Sequence, residues 1–592
     1  MPKPTTPAAK AKNTKLAFKS LVHSLRPYRV AVVFAIILSI AAAITGLFTP
    51  KILGEMTDVA KDTLTTGLDW GTLGQKALLI IFLFIMSGLL TYIQSCILTV
   101  VTAKYTRSLR TAIIEKISRL PISYFDNHQF GDVLSRMSND VDIIAMNLRQ
   151  EIADLSFNII TLIGVIIIMA MTSVPLLLIS LVVVVSSILV VGKIAAFAQK
   201  YFRKQQTILG ELNSKIEESY SGQIVIKSSF HEAATLDDFN ETNKKLAKTT
   251  FKAQVCSMLA IPVTHIFTNL GYVVTCIVGG YFVLEGRISL GDIQAFIQYV
   301  TRFNRPINEV ASITSTIQSV LAATERIFEF LNEPEEEPDP VDAKTIEKVT
   351  GAVEFHNVSF SYDKEHPVIK NFSAKITPGQ QVAIVGPTGA GKTTIINLLM
   401  RFYEPDSGYI TIDGIPTREL KRADVRKMFG MVLQDTWLFS GTIAENLKYG
   451  NAEVGDEEVV RAAKASNVHH VIESLSHGYQ TVIDEDSDNI SSGEKQLLTI
   501  ARVVAANPQM IILDEATSNV DTRTEHLVQA AFEKITKGRT SFVIAHRLST
   551  IRNADLILVM KDGNIVEQGN HTELLKKNGF YAELYNSQFA DN

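Results

Sequence analysis

The chain has 592 residues, more than one hydrophobic core uses, so at least two domains are expected. Hydrophobic residues make up 46% of the chain and mean hydropathy is +0.17 although 20% of residues are charged, which indicates an apolar portion joined to a soluble one. The net charge of −4 gives no argument for a nucleic acid partner, and the three cysteines lie in apolar stretches, which argues against a disulfide framework or a metal site.

The first half contains charge-free stretches that are long enough to cross a membrane, since a helix needs about 20 apolar residues to do so. These stretches are residues 30–50, 77–103, 155–192 and 253–284, and the third is long enough for two helices with a tight turn at residues 172–175. They predict five membrane spans. Buried helices of a large soluble domain are the alternative, but the runs exceed ordinary core-helix length.

A sixth span is predicted over residues 288–320, which carry charges. The polar residues recur at steps of three and four, so they share one helical face: Gln294, Gln298, Arg302, Arg305, Glu309, Ser312 and Thr316. Charged groups at membrane depth face a bundle interior or a water-filled cavity. We therefore interpret Gln298, Arg302, Arg305 and Glu309 as lining a substrate pathway. A local pair of Arg305 with Glu309 is the alternative.

The topology of the membrane half follows from the positions of its basic residues. Segments 104–119 and 193–252 are rich in Lys and Arg, which predicts that they, and both termini, are cytoplasmic. Residues 14–28 predict an amphipathic helix on the inner membrane surface. Residues 332–342, NEPEEEPDPVD, are acidic with three prolines and predict a linker.

Beyond the linker, short β-rich runs alternate with helical stretches, which predicts an α/β domain with a largely parallel sheet. These runs are residues 353–360, 381–385, 510–513, 541–544 and 556–560.

A glycine-rich motif follows the second of these runs. Residues 386–393, GPTGAGKT, fit G-x-x-x-x-G-K-[ST] between a predicted strand and a predicted helix, the context that a phosphate-binding loop requires. The glycines let backbone N–H groups surround the phosphates, Lys392 would reach the β- and γ-phosphates, and Thr393 would hold Mg²⁺. An ordinary strand-to-helix turn is the alternative. The candidate ATP-binding residues are Gly386, Pro387, Thr388, Gly389, Ala390, Gly391, Lys392, Thr393 and Thr394.

An acidic pair ends the apolar run MIILDE. Asp514 is suited to orient Mg²⁺ through its shell, and Glu515 is suited to polarise the attacking water. A solvated strand edge is the alternative, which the phosphate loop upstream disfavours.

With these motifs in order, the chain resembles an ABC exporter half-transporter: an all-α domain of six membrane helices fused to an α/β P-loop nucleotide-binding domain. Residues 124–142 and 217–230 are similar to the two cytoplasmic coupling segments of such exporters. The resemblance implies four regions: residues 1–28, a cytoplasmic N-terminus with an elbow helix; 29–331, the transmembrane domain; 332–349, the linker; and 350–592, the ATP-binding domain.

The resemblance also implies roles for residues outside the two motifs. Tyr362 would stack on adenine, Gln434 would contact Mg²⁺ and water, and His546 would contact the γ-phosphate, although a lone histidine at a strand end is often structural. Asp521 lies in the loop that crosses to the other subunit. Ser491 and Gly493 match the signature that closes over the ATP of the other subunit. Glu515, His546 and Gln434 are the candidate catalytic residues.

The signature itself departs from the family pattern. Ile490–Glu494, ISSGE, stands where LSGGQ is usual, so Ser492 adds a Cβ and Glu494 adds a carboxylate near an anionic ligand. Like charges about 4 Å apart repel by about 4 kcal/mol at an effective dielectric of 20. We expect the chain to pair with a second, unlike half-transporter, as in bacterial heterodimeric multidrug exporters of the LmrCD and EfrCD type, and to be the member that bears the catalytic glutamate. Harmless drift is the alternative.

The expected function is ATP-driven efflux of hydrophobic or amphiphilic compounds across the plasma membrane by alternating access, with ATP and Mg²⁺ as cofactors. A lipid flippase and a membrane-tethered regulatory ATPase that transports nothing are the alternatives. An importer is disfavoured, because importers usually carry their membrane and nucleotide domains on separate chains.

Overall fold

The computed structural model describes residues 13–66, 69–128, 130–434, 436–451, 453–483, 490–514, 522–545 and 548–589. Contacts divide the chain into two compact units, one formed by residues 1–120 and 127–335 and the other by residues 121–126 and 336–592. The first unit is helical, and the second has an α/β architecture in which helices alternate with the strands of a mostly parallel sheet. This confirms the expected fold class.

The first half of the chain consists mainly of long helices, with a few short helices between them. They are α1 (Thr14–Ser24), α2 (Arg29–Thr66), α3 (Trp70–Arg119), α4 (Ile122–Asn127), α5 (Phe130–Ser135), α6 (Val141–Thr172), α7 (Val174–Ser221), α8 (Gln223–Ser228), α9 (Glu232–Met258), α10 (Ala260–Leu284) and α11 (Leu290–Leu331).

Within the described part of the chain, five helical stretches are long and apolar enough to cross a membrane: Arg26–Asp62, Trp70–Arg119, Phe130–Thr172, Val174–Ser221 and Glu232–Leu284. They include the five spans expected from the sequence. The predicted sixth span lies in α11, a continuous helix of 42 residues that is not among those five because it carries charges. The expected turn between spans three and four is a single extended residue, Ser173, followed by Pro175 in the first turn of α7.

The long helices extend well past the hydrocarbon core. At 1.5 Å per residue the 50 residues of α3 measure about 75 Å, against a core of about 30 Å. The excess lies in the segments whose Lys and Arg content predicts a cytoplasmic position.

An ion pair between a buried carboxylate and a partly exposed guanidinium joins two of these helical segments. A π-helical turn, Arg136–Asp140, leads from α5 into α6, and Asp140 at its end is only 4% exposed. Arg326 of α11 binds both carboxylate oxygens of Asp140, with Nε 2.8 Å from Oδ2. The pair fixes the π turn against α11, so removal of the arginine alone would leave a buried charge without its partner.

The second unit contains twelve strands among its described residues. They are β1 (Val353–Asp363), β2 (His366–Ile376), β3 (Gln381–Val385), β4 (Ser407–Ile412), β5 (Ile415–Pro416), β6 (Phe429–Val432), β7 (Gly441–Thr442), β8 (Val482–Ile483), β9 (Met510–Asp514), β10 (Thr540–Ile544), β11 (Leu556–Lys561) and β12 (Asn564–Gly569). Its helices are α12 (Lys392–Leu399), α13 (Arg422–Met428), α14 (Ile443–Lys448), α15 (Asp456–Ala465), α16 (His469–Ser474), α17 (Ser492–Ala506), α18 (Thr522–Thr536), α19 (Leu548–Asn553), α20 (His571–Lys577) and α21 (Phe580–Phe589).

The main sheet has the order β12–β11–β3–β10–β9–β6, with parallel pairing from β11 to β6 and only β12 antiparallel. Its strands β3, β9 and β10 are buried along nearly their whole length, which explains their unbroken apolar runs. A separate antiparallel sheet, β2–β1–β4–β5, was not expected from the sequence. In β1 buried and partly exposed residues mostly alternate, so this sheet covers the core with one face.

The acidic linker is attached to the second unit. Glu336 accepts a hydrogen bond from Arg426 at 3.0 Å, and Asp339 accepts one from Arg422 at 3.1 Å. The Arg422 side chain is only 10% exposed. These linker residues are therefore held to α13 by charge, which a freely moving spacer would not show.

The pair Asp140–Arg326 gives a stability prediction. Arg326→Met is expected to destabilise the protein by about 1–3 kcal/mol, since it removes the charged hydrogen-bond donor of the buried Asp140 carboxylate. The matched control is Arg110→Met, because Arg110 pairs with Asp142 at a site where both side chains are about half exposed, and such pairs contribute about 0–1 kcal/mol. Thermal unfolding of the purified protein measures both changes, and equal losses would contradict the assignment.

Candidate functional site

The candidate site is built around the loop that follows β3. Two of its glycines have backbone conformations that other residues rarely adopt, with φ of +82° at Gly389 and +97° at Gly391. At Gly391 a Cβ would also lie 2.6 Å from Cδ1 of Ile369. The positive φ therefore favours glycine at position 391, and a larger residue would also require the end of the Ile369 side chain to shift. The loop then enters α12, whose N-terminal N–H groups point into the loop.

Lys392 folds back over this loop. Its Nζ donates to the carbonyl oxygens of Gly386 at 2.7 Å and Pro387 at 3.1 Å. Burial lowers the pKa of Lys392, and the nearby charge of Asp514 opposes that shift. The ammonium group is thus held over the loop by neutral carbonyls, which a phosphate could displace at little cost because the charge-assisted bonds to phosphate are stronger.

The other loop positions differ in exposure. Pro387, Thr388, Gly389 and Thr393 are exposed, whereas Ala390 is 3% exposed and packs into the core. Thr394 is buried, and its hydroxyl accepts a hydrogen bond from Tyr362 at 3.3 Å. The exposed hydroxyl of Thr393 at the start of α12 is the one that is available to a ligand.

The sheet brings three of the candidate residues to one edge. Gly386 follows β3, Asp514 ends β9, and Gln434 lies two residues beyond β6, where it is exposed. Because the carboxyl ends of parallel strands meet at the same edge, these residues share the edge at which α12 begins. Glu515, Asp521 and His546 lie outside the described residues, and their roles stay predictions.

Tyr362 extends the site from the antiparallel sheet. Its ring is 49% exposed, and Nδ2 of Asn397 on α12 donates to its hydroxyl at 3.1 Å. The hydroxyl bonds to Thr394 and Asn397 fix the ring beside the first turns of α12. A partly exposed ring held in this way can accept a flat base on its open face.

The altered signature forms the N-terminus of a different helix, α17. Ser491 is its N-cap, and Glu494 turns back to close a capping box. Oε2 of Glu494 accepts hydrogen bonds from both the backbone N–H and the hydroxyl of Ser491, each at 2.8 Å. The carboxylate therefore occupies the position at which the N-terminus of α17 would attract an anion. Gly493 is buried in the same turn.

The candidate phosphate loop and the altered signature pack in separate hydrophobic clusters. Ala390 and Ile395, at the phosphate loop and on α12, pack in a cluster with β1 and β2. Ile490 and Leu497, beside and within α17, pack in a second cluster with α14, α15 and α18. The structure thus builds the phosphate loop and the signature as distinct surfaces.

Of the four residues expected to line a substrate pathway, the structure describes the side chains of two. Gln298 and Arg302 are partly buried on α11, and Nη1 of Arg302 donates to the carbonyl oxygen of Gly46 at 2.7 Å. Arg305 and Glu309 lie in the helical backbone of α11, but the side chains of residues 304–315 lie outside the described residues. Arg302 thus has a backbone partner on α2, which sequence reasoning did not foresee.

Two further residues were missed by sequence reasoning. Tyr403 packs edge-on against Tyr362, with ring centroids 5.0 Å apart, and its hydroxyl is hydrogen-bonded to the carboxylate of Asp126 on α4. Burial, together with Asp126, raises the pKa of the Tyr403 hydroxyl. A tyrosine four residues beyond α12 was the available signal. It connects the expected base-stacking ring to a segment that resembles a coupling segment.

The second missed residue is Arg502 of α17. Its Nε donates to the backbone oxygen of Asn446 at 2.9 Å, and its guanidinium lies over the rings of Phe439 and Tyr449. Burial lowers the pKa of Arg502. The signature helix is thereby tied to the stretch that follows Gln434.

Comparison with known proteins agrees with this architecture. Residues 32–307 match the family described as the ABC transporter transmembrane region, and residues 369–518 match the family described as ABC transporter. A fatty acid ABC transporter ATP-binding/permease protein of Mycobacterium tuberculosis is 43% identical over 95% of this chain and 95% of its own length. YgaD of Bacillus subtilis, named a putative multidrug export ATP-binding/permease protein, is 33% identical over 96% of this chain and 99% of its own length.

A solved structure gives the same result for the fold. A bacterial Atm1-family ABC exporter with ATP bound matches with a TM-score of 0.72 and 27% identity, and the match covers 95% of this chain and 98% of that one. The similarity therefore spans both units.

The Tyr362 ring gives a binding prediction. Tyr362→Ala is expected to raise the Kd for ATP by roughly 5- to 150-fold, since base–aromatic stacking contributes about 1–3 kcal/mol. Tyr362→Phe keeps the ring and loses only the hydroxyl bonds, so its effect should be smaller. Titration of the purified protein with a fluorescent ATP analogue measures both. Tyr409→Ala, which removes an exposed tyrosine of β4 that stacks on His356, is the matched control. Unchanged affinity in Tyr362→Ala would refute the stacking role.

Proposed function

This chain belongs to the ABC exporters as a half-transporter, a membrane domain fused to an ATP-hydrolysing domain, and we propose that it exports hydrophobic or amphiphilic compounds as one member of an unequal pair. Two ATP molecules would draw the nucleotide-binding domains together and turn the membrane cavity outward, and hydrolysis would reset it. ATP can drive this change only by binding the two states unequally, which it does by bridging two subunits.

The observation that carries the unequal pair is the capping box of α17. Glu494 uses its carboxylate to bind the backbone N–H and the hydroxyl of Ser491. A γ-phosphate on a facing subunit would approach this helix N-terminus and meet a negative charge there, where a glutamine would be neutral. We therefore infer that this signature binds the ATP of the partner weakly.

The phosphate-loop side of the chain has no such defect. Gly386–Thr394, Asp514 and Gln434 offer backbone N–H groups, an ammonium group and oxygen donors at one sheet edge. Oxygen donors of this kind suit Mg²⁺, which Thr393 and Gln434 would hold and which would neutralise developing charge on the phosphates. Asp514 would orient the metal through its water shell, Glu515 would polarise the attacking water and His546 would bind the γ-phosphate. We propose that these residues, under an intact signature from the partner, form the hydrolytic site.

The substrate class is supported by the relatives and by composition. One relative is named for fatty acids, which are amphiphilic, and another for multidrug export. A lipid-like substrate is therefore the second candidate. Regulation without transport is disfavoured, since the relatives that cover the whole chain are named as transporters.

Repair of the signature tests the unequal pair. In the purified chain alone, Ser492→Gly with Glu494→Gln is expected to raise ATP turnover by about tenfold or more, since relief of a third of an about 4 kcal/mol repulsion corresponds to that factor. Glu573→Gln is the matched control, because Glu573 closes an equivalent capping box on Asn570 at α20, away from the signature. Full turnover by the unaltered chain alone, or no gain on repair, would contradict the proposal.

Transport is tested with the chain and its genomic neighbour together in inverted vesicles. Efflux of Hoechst dye and movement of a fluorescent fatty acid are measured in parallel, and the faster ATP-dependent process identifies the substrate class. Glu515→Gln is expected to abolish nearly all turnover and transport while ATP still binds, because the attacking water loses its base. If this variant keeps its turnover, Glu515 is not the base; if neither probe moves, the regulatory alternative gains.

A further inference from the structure

The helix α2 contains a proline, Pro50, in the middle of a predicted membrane span. Proline has no backbone N–H, so the carbonyl of Gly46, four residues earlier, loses its donor within the helix. The hydrocarbon core offers no water as a replacement, and an unsatisfied carbonyl there is costly. The question is therefore where the hydrogen bond of Gly46 is made.

Two side chains of α11 donate hydrogen bonds to the backbone of α2 in this region. Nη1 of Arg302 donates to the carbonyl oxygen of Gly46 at 2.7 Å. One turn away, the hydroxyl of Tyr299 donates to the carbonyl oxygen of Leu47 at 2.7 Å and interacts with the backbone of Lys51. Leu47 and Lys51 are four residues apart, so the hydroxyl bridges the next rung of the α2 ladder. Tyr299 is 1% exposed, so this bridge is sealed from solvent.

The same two helices also touch closely one turn beyond the proline. A Cβ on Gly54 would lie 2.3 Å from the carbonyl oxygen of Gly291, which means that the two backbones are in direct contact. The backbone N–H of Gly291 donates to Oδ1 of Asp58 at 2.7 Å. Between these levels Thr57 is hydrogen-bonded to Gln294. The α2–α11 pair is therefore joined by backbone and side-chain contacts over several turns.

We propose that Arg302 is a positioning residue that supplies the hydrogen bond which Pro50 removes from α2, that Tyr299 bridges the neighbouring pair Leu47 and Lys51, and that the two side chains thereby stabilise the pairing of α2 with α11. Pro50 removes one hydrogen bond from α2, and Arg302 of α11 supplies the replacement donor at the same carbonyl. The replacement is made only while the two helices are paired, so separating them would expose an unsatisfied carbonyl in the membrane. This inference concerns the membrane unit and is independent of the unequal pair and of the substrate.

The competing role for Arg302 is recognition of an anionic substrate. The two roles differ in their dependence on Pro50. An alanine at position 50 restores the N–H, so the carbonyl of Gly46 regains a donor inside α2 and Arg302 becomes dispensable for that carbonyl. Substrate recognition by the guanidinium charge would gain nothing from that change.

The test is a double-mutant cycle in the full chain, expressed with its partner if it needs one. The variants are Arg302→Met and Tyr299→Phe, each with Pro50 and with Pro50→Ala, and the measurements are the melting midpoint and the turnover and KM for ATP of monodisperse protein. With Pro50 present, Arg302→Met is expected to lower the midpoint by about 2–4 °C or more and to reduce turnover severalfold with KM unchanged. With alanine at position 50 most of both losses from Arg302→Met should disappear, whereas the losses of Tyr299→Phe should persist, because Lys51 keeps its N–H with either residue at position 50.

Arg287→Met serves as the control for losing an arginine near α11, since Arg287 pairs with Glu285 outside the helix and is 63% exposed. Its small effect should not depend on position 50. Equal losses from Arg302→Met with either residue at position 50 would overturn the proposal and favour substrate recognition. Failure of Pro50→Ala alone to give folded protein would also overturn it, because the proposal expects that change to be tolerated.

Discussion

A helix N-terminus leaves its first N–H groups without partners in the helix, so it attracts anions. At the N-terminus of α17 the chain places a carboxylate of its own: Glu494 accepts hydrogen bonds from the backbone N–H and the hydroxyl of Ser491. A glutamine, the usual residue here, can close the same capping box without a charge, so the negative charge is what this signature adds beside the expected ATP of a facing subunit. The proposed difference between the two ATP sites rests on this charge, since residues 386–394 of the phosphate loop contain no carboxylate.

In each unit, one set of contacts joins elements that are far apart in the sequence. Within the second unit, Tyr362 packs on Tyr403, and Tyr403 is hydrogen-bonded to Asp126 of α4. The ring expected to stack on adenine is thus two contacts from a segment that resembles a coupling segment. In the membrane unit, Pro50 and its partners on α11 provide a place where two helices are held by hydrogen bonds that either helix alone cannot make. Each set includes hydrogen bonds between residues that are far apart in the sequence, from Tyr403 to Asp126 in one unit and from Arg302 to Gly46 in the other.

The sequence predicted what depends on local pattern. Continuous apolar runs located β3, β9 and β10, and the residue pair Ser173–Val174 before Pro175 marked the turn between two spans. It did not predict contacts between distant residues: Arg302 and Gly46 are 256 positions apart, and Arg326 and Asp140 are 186 apart. For Glu494 the local signal was present, because Ser followed three residues later by Glu is the pattern of a capping box, but the charge alone was interpreted. The antiparallel sheet was missed beyond β1, although residues 372–376 of β2 alternate strictly between buried and exposed positions.

The central claim is that ATP is hydrolysed mainly at one of two unlike sites, the one that contains this chain's phosphate loop. Vanadate trapping of a photoreactive ATP analogue in the purified pair measures this directly, because it counts the trapped nucleotides and identifies the chain that carries them. The account predicts one trapped nucleotide per pair, attached to this chain. Two trapped nucleotides per pair, shared equally between both chains, would contradict it.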